Sequence, residues 1–247
     1  MPIVGKVEKH IVALSVGKDS TVMALRLNEV SPRNYEYVCT PTGDELPEMV
    51  EHWTNLGERL GKPLTSLTDG RTLGGLIVLQ NCLPNFRMRW CTRLLKIEPF
   101  ETYVLANRPC TVYVGIRADE TDREGVKYED LGNGIKRVYP LVDWNWGLGD
   151  VKKYLKDHDI HIPERTDCAS CFFQTLYEWW LLWKNHPERY ARAEAWEKHV
   201  GHTLRSETRD TWPAALSELR KRFESGDVPK DRRKMDGRSV MCSTCSR

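Results

Sequence analysis

Between the apolar run Ile11-Val12-Ala13-Leu14 and a segment whose apolar residues Val22, Leu25 and Leu27 recur at roughly helical spacing lies Ser15-Val16-Gly17-Lys18-Asp19-Ser20. The run before it is short and partly β-branched, as a buried strand is, so a strand ends and a helix begins within a few residues. A helix start presents N–H groups without intrahelical partners and carries about half a positive charge. Such a terminus attracts phosphate. Gly17 lets the backbone approach an anion, Lys18 adds a full charge, and Asp19, Ser20 and Thr21 are residue types that cap a helix or hold a metal ion near phosphates. An ordinary capped turn has the same composition. The Walker loop is excluded, because Val12 stands where its first glycine belongs and Asp19 follows the lysine.

Cysteines supply the second kind of chemistry. Cys168-Ala169-Ser170-Cys171 has the spacing with which two thiolates grip one metal ion, and Cys242-Ser243-Thr244-Cys245 repeats it near the end of the chain. Two ligands are not a site. The two pairs together would make a four-cysteine zinc site if the end folded back; otherwise the last pair is a flexible end with free thiols. In Trp90-Cys91-Thr92-Arg93-Leu94-Leu95-Lys96-Ile97-Glu98-Pro99, Arg93 and Lys96 lie three apart and share a helical face, aimed at an anion or simply solvated. Cys39, Cys82 and Cys110 are assigned to core or surface. Tyr177, Trp179, Trp180 and Trp183 suit either stacking of unpaired bases or a helix core, the commoner case. His158, His161, His186, His199 and His202 show no ligand-like spacing.

These residues need elements to position them. Tyr35–Thr40 reads as a second strand, Glu48–Leu60 as a helix, Pro63–Leu67 as a third strand, Trp90–Leu105 as a helix and Thr111–Ile116 as a fourth strand. The alternation predicts an α/β fold: a doubly wound, mostly parallel sheet with helices on both faces and ligands at the carboxyl ends of the strands. The polar loops Ser15–Ser20, Thr40–Glu45 and Arg117–Arg123 each follow a predicted strand. A further helix starts at Asp150-Val151. From Asp167 onward tryptophan-rich helical segments appear at Thr175–Lys184, Pro187–Val200 and Trp212–Glu224, so a C-terminal helical extension (166–247) is placed after an N-terminal domain (1–165).

Two hundred and forty-seven residues suffice for a sizeable core, and 37 basic against 35 acidic residues exclude a polycation, so any nucleic-acid contact requires a local patch. Neither a signal-peptide core at Met1–Lys6 nor an apolar run of about 18 residues is evident, which predicts a soluble cytoplasmic protein without a membrane partner. Eight cysteines in such a chain point to metal, redox chemistry or packing rather than a disulfide framework.

Four blocks resemble the phosphoadenosine phosphosulfate (PAPS) reductase-like family of ATP pyrophosphatases: Ser15–Ser20, similar to its pyrophosphate loop; Thr42-Gly43-Asp44-Glu45-Leu46-Pro47-Glu48; the Trp90–Pro99 block; and Gly115-Ile116-Arg117-Ala118-Asp119-Glu120-Thr121-Asp122-Arg123. Val16 replaces the loop's first glycine, and Pro41 stands where an aspartate is usual. The resemblance implies an adenine-nucleotide-binding domain using ATP and Mg²⁺. Ser15, Val16, Gly17, Lys18, Asp19, Ser20, Thr42, Gly43, Arg93 and Lys96 would bind the cofactor. Lys18, Asp19, Ser20, Arg117 and Arg123 would be catalytic, the two arginines contacting phosphate at the rim. Cys91, Cys168 and Cys171 resemble the ligands of iron-sulfur members, with zinc as the alternative metal. The Trp90–Pro99 block is similar to the DNA phosphorothioation ATP pyrophosphatases. It implies adenylation of a DNA acceptor, or tRNA in its place, with sulfur from a donor such as a cysteine desulfurase. The rivals are a sulfonucleotide reductase, whose Glu-Cys-Gly-type tail is replaced here by Met241-Cys242-Ser243-Thr244-Cys245, and a non-catalytic, zinc-stabilised nucleic-acid-binding module.

Overall fold

A sheet of five parallel strands organises the computed structural model, which describes residues 8–120, 134–208 and 210–231. The strands are β1 (Lys9–Leu14), β2 (Tyr35–Cys39), β3 (Thr65–Ser66), β4 (Cys110–Val114) and β5 (Ile135–Val138), in the spatial order β3-β2-β1-β4-β5. Register is tight across the centre, where Val12 faces Tyr37 on one side and Tyr113 on the other. From β1 the chain winds outward through β2 to β3, then returns to lay β4 on the opposite side of β1. The carboxyl ends of β1 and β4 therefore form the crevice at which winding reverses, the place where doubly wound sheets hold ligands.

Both faces of the sheet are covered, as alternate side chains along β1 show. Val12 and Leu14 belong to a core shared with α1 (Lys18–Val30), α2 (Pro47–Leu60) and α7 (Leu148–Asp157); Ile11 belongs to a second core with Phe100 and Val104 of α5 (Glu98–Ala106). Strands buried on two sides must be apolar at every position, and Ile11 and Val12 are both fully buried. The expected third strand contracts to Thr65–Ser66. Its sequence, Pro63-Leu64-Thr65-Ser66-Leu67, has too few residues free of proline to pair further at an edge.

The helices α3 (Leu73–Gln80), α8 (Leu176–Asn185), α9 (Pro187–Val200) and α10 (Leu216–Glu224) build a third core. It draws Leu46, Leu73, Leu76, Ile77, Leu83 and Leu95 from before residue 165 and Phe172, Trp179, Leu182, Tyr190, Ala193 and Trp196 from after it. Thr175 caps α8 in a reciprocal box with Glu178: its hydroxyl oxygen accepts from the Glu178 N–H (3.2 Å), and its own N–H donates to the Glu178 carboxylate (2.7 Å). The tryptophan stripe is core, with Trp179 wholly buried. Helix α10 starts at Leu216, later than Trp212, because Pro213 interrupts the ladder. No helix among the described residues is long and apolar enough to cross a membrane.

Glu197 of α9 ties this layer together, accepting the N–H of Leu204 (2.8 Å) and of Leu216 (2.7 Å). Burial nevertheless pushes its pKa up to about 7 from an ordinary 4.5. Between those values the folded chain binds more protons at this site than the unfolded chain, so the contribution of Glu197 to stability falls as pH rises through the window. Urea unfolding at several pH values should show this decline in the wild type. Glu197→Gln should flatten it while lowering stability at pH 5, since an amide offers one acceptor oxygen to two N–H donors.

Candidate functional site

The β1–α1 turn has a shape its sequence does not favour locally. Val16 adopts φ +56°, the left-handed region in which a β-branched residue is strained, and its side chain is wholly buried in the core beneath α1. Gly17 is the N-cap of α1 and no side chain caps the helix, so Asp19, Ser20 and Thr21 are not caps and the first N–H groups of α1 remain open. The Ser20 hydroxyl donates to the Gly17 carbonyl (3.2 Å) and lies 3.1 Å from the Ser15 hydroxyl, while Thr21 sits deeper, 3.3 Å from Nε2 of His52. Hydroxyls, a cation and open amides thus converge on one end of a helix.

The end of β4 presses against this turn. A Cβ on residue 115 would lie 3.0 Å from the Ser20 Cα and 3.1 Å from its nitrogen, so any side chain there would have to push the backbone of α1 away, and glycine avoids this. Arg117 follows, and instead of reaching the rim as a phosphate contact it is buried among carboxylates. Its Nη1 donates to Asp19 Oδ2 (2.9 Å) and its Nε to Asp119 Oδ1 (2.8 Å), and Nη2 lies 3.6 Å from Glu120 Oε1. Burial by itself would lower the guanidinium pKa; the surrounding carboxylates, Asp19 foremost, outweigh it and raise it. Asp119 in turn accepts the Leu148 N–H (2.8 Å) at the start of α7. Asp19 also receives Lys18 at 3.2 Å on Oδ2, whereas its Oδ1 is buried with no partner. Arg123, the second expected arginine, lies outside the described residues.

The β2 loop folds on itself. Glu45 accepts from the N–H (2.5 Å) and hydroxyl (2.7 Å) of Thr42 and from the N–H of Gly43 (2.9 Å). Asp44, almost wholly buried, accepts the Ser170 N–H (2.8 Å) and an Arg192 guanidinium nitrogen of α9, and its carbonyl takes the Ala169 N–H (2.7 Å). Burial raises the Asp44 pKa against those donors. Thr42 and Gly43 therefore sit where the loop joins the Cys168–Cys171 segment.

With this geometry the sequence matches the phosphoadenosine phosphosulfate reductase domain over residues 9–166, well over half the chain. The chain belongs to that family. Among solved structures it is similar to the PAPS reductase from Candida auris in its phosphate complex, with a TM-score of 0.50 and 16% identity over 66% of this chain and 78% of that one, a likeness of fold. The U34-tRNA thiolase NcsA from Methanococcus maripaludis with its 4Fe–4S cluster gives a TM-score of 0.45 and 17% identity, covering 93% of this chain and 85% of that one. No curated protein sequence matches this chain.

The expected metal ligands of this family member are not assembled as a set. Among the described residues no group of three or more His, Cys, Asp or Glu side chains is arranged to hold a metal ion. Cys168 is 3.2 Å from the Thr42 hydroxyl, and burial pushes its thiol up to about 12 despite the charge of Lys96; Cys91 is raised by burial too, and Cys171 is buried. Cys242 and Cys245 lie outside the described residues. Arg93 and Lys96 do not share a face, because Arg93–Ile97 forms a π turn between α4 (Trp90–Thr92) and α5, and residues three apart do not superpose in that wider turn. Pro99, lacking an N–H, removes one helical bond just downstream and favours the shift. Exposed Arg93 pairs with Glu98 (2.6 Å).

Two tests follow from these contacts. Val16→Gly relieves left-handed strain of about 1–2 kcal/mol, so it should be at least as stable as Val16→Ala despite losing more side chain; urea midpoints check the inverted order. Arg117→Ala should cost about 3–5 kcal/mol by removing the buried cation that Asp19, Asp119 and Glu120 share, with Lys18 left on Asp19 and Arg117→Lys intermediate.

Proposed function

We propose that the chain is an ATP pyrophosphatase that adenylates its acceptor, releases pyrophosphate and so prepares that position for sulfur transfer. The acceptor in this reading is DNA, in backbone phosphorothioation, with tRNA as the alternative. The observation that carries it is the uncapped start of α1, where open amides meet Lys18 and the Ser15 and Ser20 hydroxyls at the crevice between β1 and β4. A triphosphate satisfies all of these donors at once.

The chemistry follows from charge. The β- and γ-phosphates rest on the amides after Gly17 and on Lys18, and the serine hydroxyls donate to their oxygens. An acceptor oxygen attacks the α-phosphorus, the bond from that phosphorus to the bridging oxygen breaks, and pyrophosphate departs with its electron pair. Adenylate then leaves, carrying the acceptor oxygen, when a sulfur nucleophile attacks; with a persulfide donor such as a cysteine desulfurase, the S–S bond formed in that attack is then cleaved by a thiol reductant, which supplies the two electrons and leaves the sulfur on the acceptor. Asp19 Oδ1, buried and unpartnered, suits a hard cation that prefers oxygen ligands, so Mg²⁺ fits here beside the phosphates. When bound it offsets the charge of the triphosphate. Arg117 acts through Asp19 by holding its other oxygen, a positioning role, and Arg123 is assigned the contact at the α-phosphate.

The family match favours one second reading, reduction of a sulfonucleotide. Incubation with ATP, Mg²⁺ and a DNA acceptor should yield pyrophosphate. Asp19→Asn and Ser20→Ala should each lower its release by about 10²-fold or more while the unfolding midpoint stays within reach of the wild type. Undiminished turnover in both variants would refute the loop as the site. Production of sulfite from adenylyl sulfate or its 3′-phosphate with thioredoxin, and no pyrophosphate from ATP, would establish the reductase reading.

A further inference from the structure

The loop between α3 and α4 turns two large apolar side chains and a cation out into solvent. Leu83 and Pro84, both buried, anchor it, and Asn85 then closes a tight turn. Its side-chain Oδ1 accepts the N–H of Arg87 (2.9 Å) and of Met88 (2.9 Å), and its own N–H donates to the Met88 carbonyl (3.1 Å). Phe86, Arg87 and Met88 at the tip are all exposed, Phe86 to 48% and Met88 to 49%. Phe86 is nevertheless held in place, its ring 5.5 Å from that of Phe172 and 4.8 Å from that of Phe173, and steeply inclined to both. Arg89 rests over the Phe173 ring at 5.5 Å. Single exposed apolar residues are ordinary, but an ordered pair of them around a cation marks a contact surface.

The charge of this surface says what it contacts. From Gly70 to Ile97 the chain has five basic residues and no acidic one, although the whole chain is nearly balanced at 37 basic to 35 acidic. Arg71 and Arg93 are engaged by Asp69 and Glu98, which bound that stretch. Among the described residues no hydrogen bond or ion pair holds the Arg87 guanidinium. Phe172 and Phe173 follow the segment whose Cys168 and Ser170 touch Thr42 (3.2 Å) and Asp44 (2.8 Å), so the tip is joined to the loop after β2. Strand β2 adjoins β1, at whose end the triphosphate is proposed to bind.

An ordered aromatic ring beside an open cation matches an unpaired base and its phosphodiester, the base stacking on the ring and the phosphate taking the guanidinium. A duplex hides the faces of its bases, and a second copy of the chain in a two-fold contact would bring like charge to like. We propose that the Phe86-Arg87-Met88 tip grips an unpaired stretch of DNA, with Phe86 stacked on a base and Arg87 on the adjoining phosphate. The choice of DNA over RNA rests on the acceptor of the proposed function; the contact itself does not depend on adenylation.

Fluorescence anisotropy of a dye-labelled single-stranded DNA of mixed sequence, titrated with the full chain in the absence of ATP, tests this. The wild type should bind it saturably and more tightly than the same sequence as duplex or as RNA. Arg87→Gln should weaken binding and reduce the slope of log affinity on log salt by about 0.7, the share of one phosphate contact on a single strand. Phe86→Leu keeps an apolar residue in the turn but removes the ring; it should weaken binding about fivefold or more and leave that slope in place, whereas Phe86→Tyr should bind as the wild type does. No saturable binding, affinity unmoved in Arg87→Gln and Phe86→Leu, equal affinity of Phe86→Leu and Phe86→Tyr, or tighter binding of duplex, RNA or polyglutamate would each overturn the proposal. Pyrophosphate release from ATP is read separately. Its absence, with DNA binding as expected, defeats the adenylation reading alone, and its presence, with DNA binding unmoved by the variants, defeats the tip alone.

Discussion

One guanidinium, that of Arg117, governs how the two central loops meet. It leaves β4, crosses to the first turn of α1 through Asp19, and through Asp119 reaches the first turn of α7. The carboxylates would repel one another without it, and Arg117 would be a costly buried charge without them, so each partner makes the others tolerable. The approach is close enough to require Gly115, whose missing side chain lets the backbone of β4 touch Ser20. The crevice set up by the reversal of winding beside β1 thereby acquires a fixed width. An anion arriving there meets donors already in place, and little ordering free energy is spent on binding.

Asp44 performs a comparable task on the other side. It is buried, accepts from the Cys168–Cys171 segment and from Arg192, and sits two residues from Thr42, whose hydroxyl touches Cys168. With Leu46, α3 and Leu95 contributing to the same core as α8 and α9, the later helices are fastened to the sheet by both a polar knot and an apolar contact. Their loss would expose the backs of α3 and of the π turn.

The sequence was most informative where the physics is periodic. Largely buried runs such as Ile11–Leu14 and helices with a continuous apolar stripe were legible, and so was Thr175 at the start of α8. Helix α3 was not, because Leu73-Gly74-Gly75-Leu76-Ile77-Val78-Leu79 has two glycines and an apolar character on all sides; Gly74 is there because Trp196 packs against it. Strand β5 was missed since Ile135-Lys136-Arg137-Val138 is short and half polar, as an edge strand is. The strand-to-helix turn at Ser15–Ser20 was legible by type and spacing, but the burial of Arg117 was not. Nothing local distinguishes an arginine that meets a ligand from one that meets three carboxylates.

The strained backbone at Val16 has a consequence for how the loop responds to change elsewhere. A glycine there would adopt the turn by local preference, whereas valine is kept in it by the wall of side chains closing over its methyl groups. The direction of the amides at the start of α1 therefore depends on how well the layer between α1 and the sheet is filled. Loosening that layer at a distant position such as Leu56 or Tyr154 gives Val16 room to relax toward negative φ, turning the amides away before the chain as a whole unfolds. The loop is in this sense a gauge of the interior, and under the proposed function its hold on a phosphate would register packing defects that leave every residue of the loop unchanged.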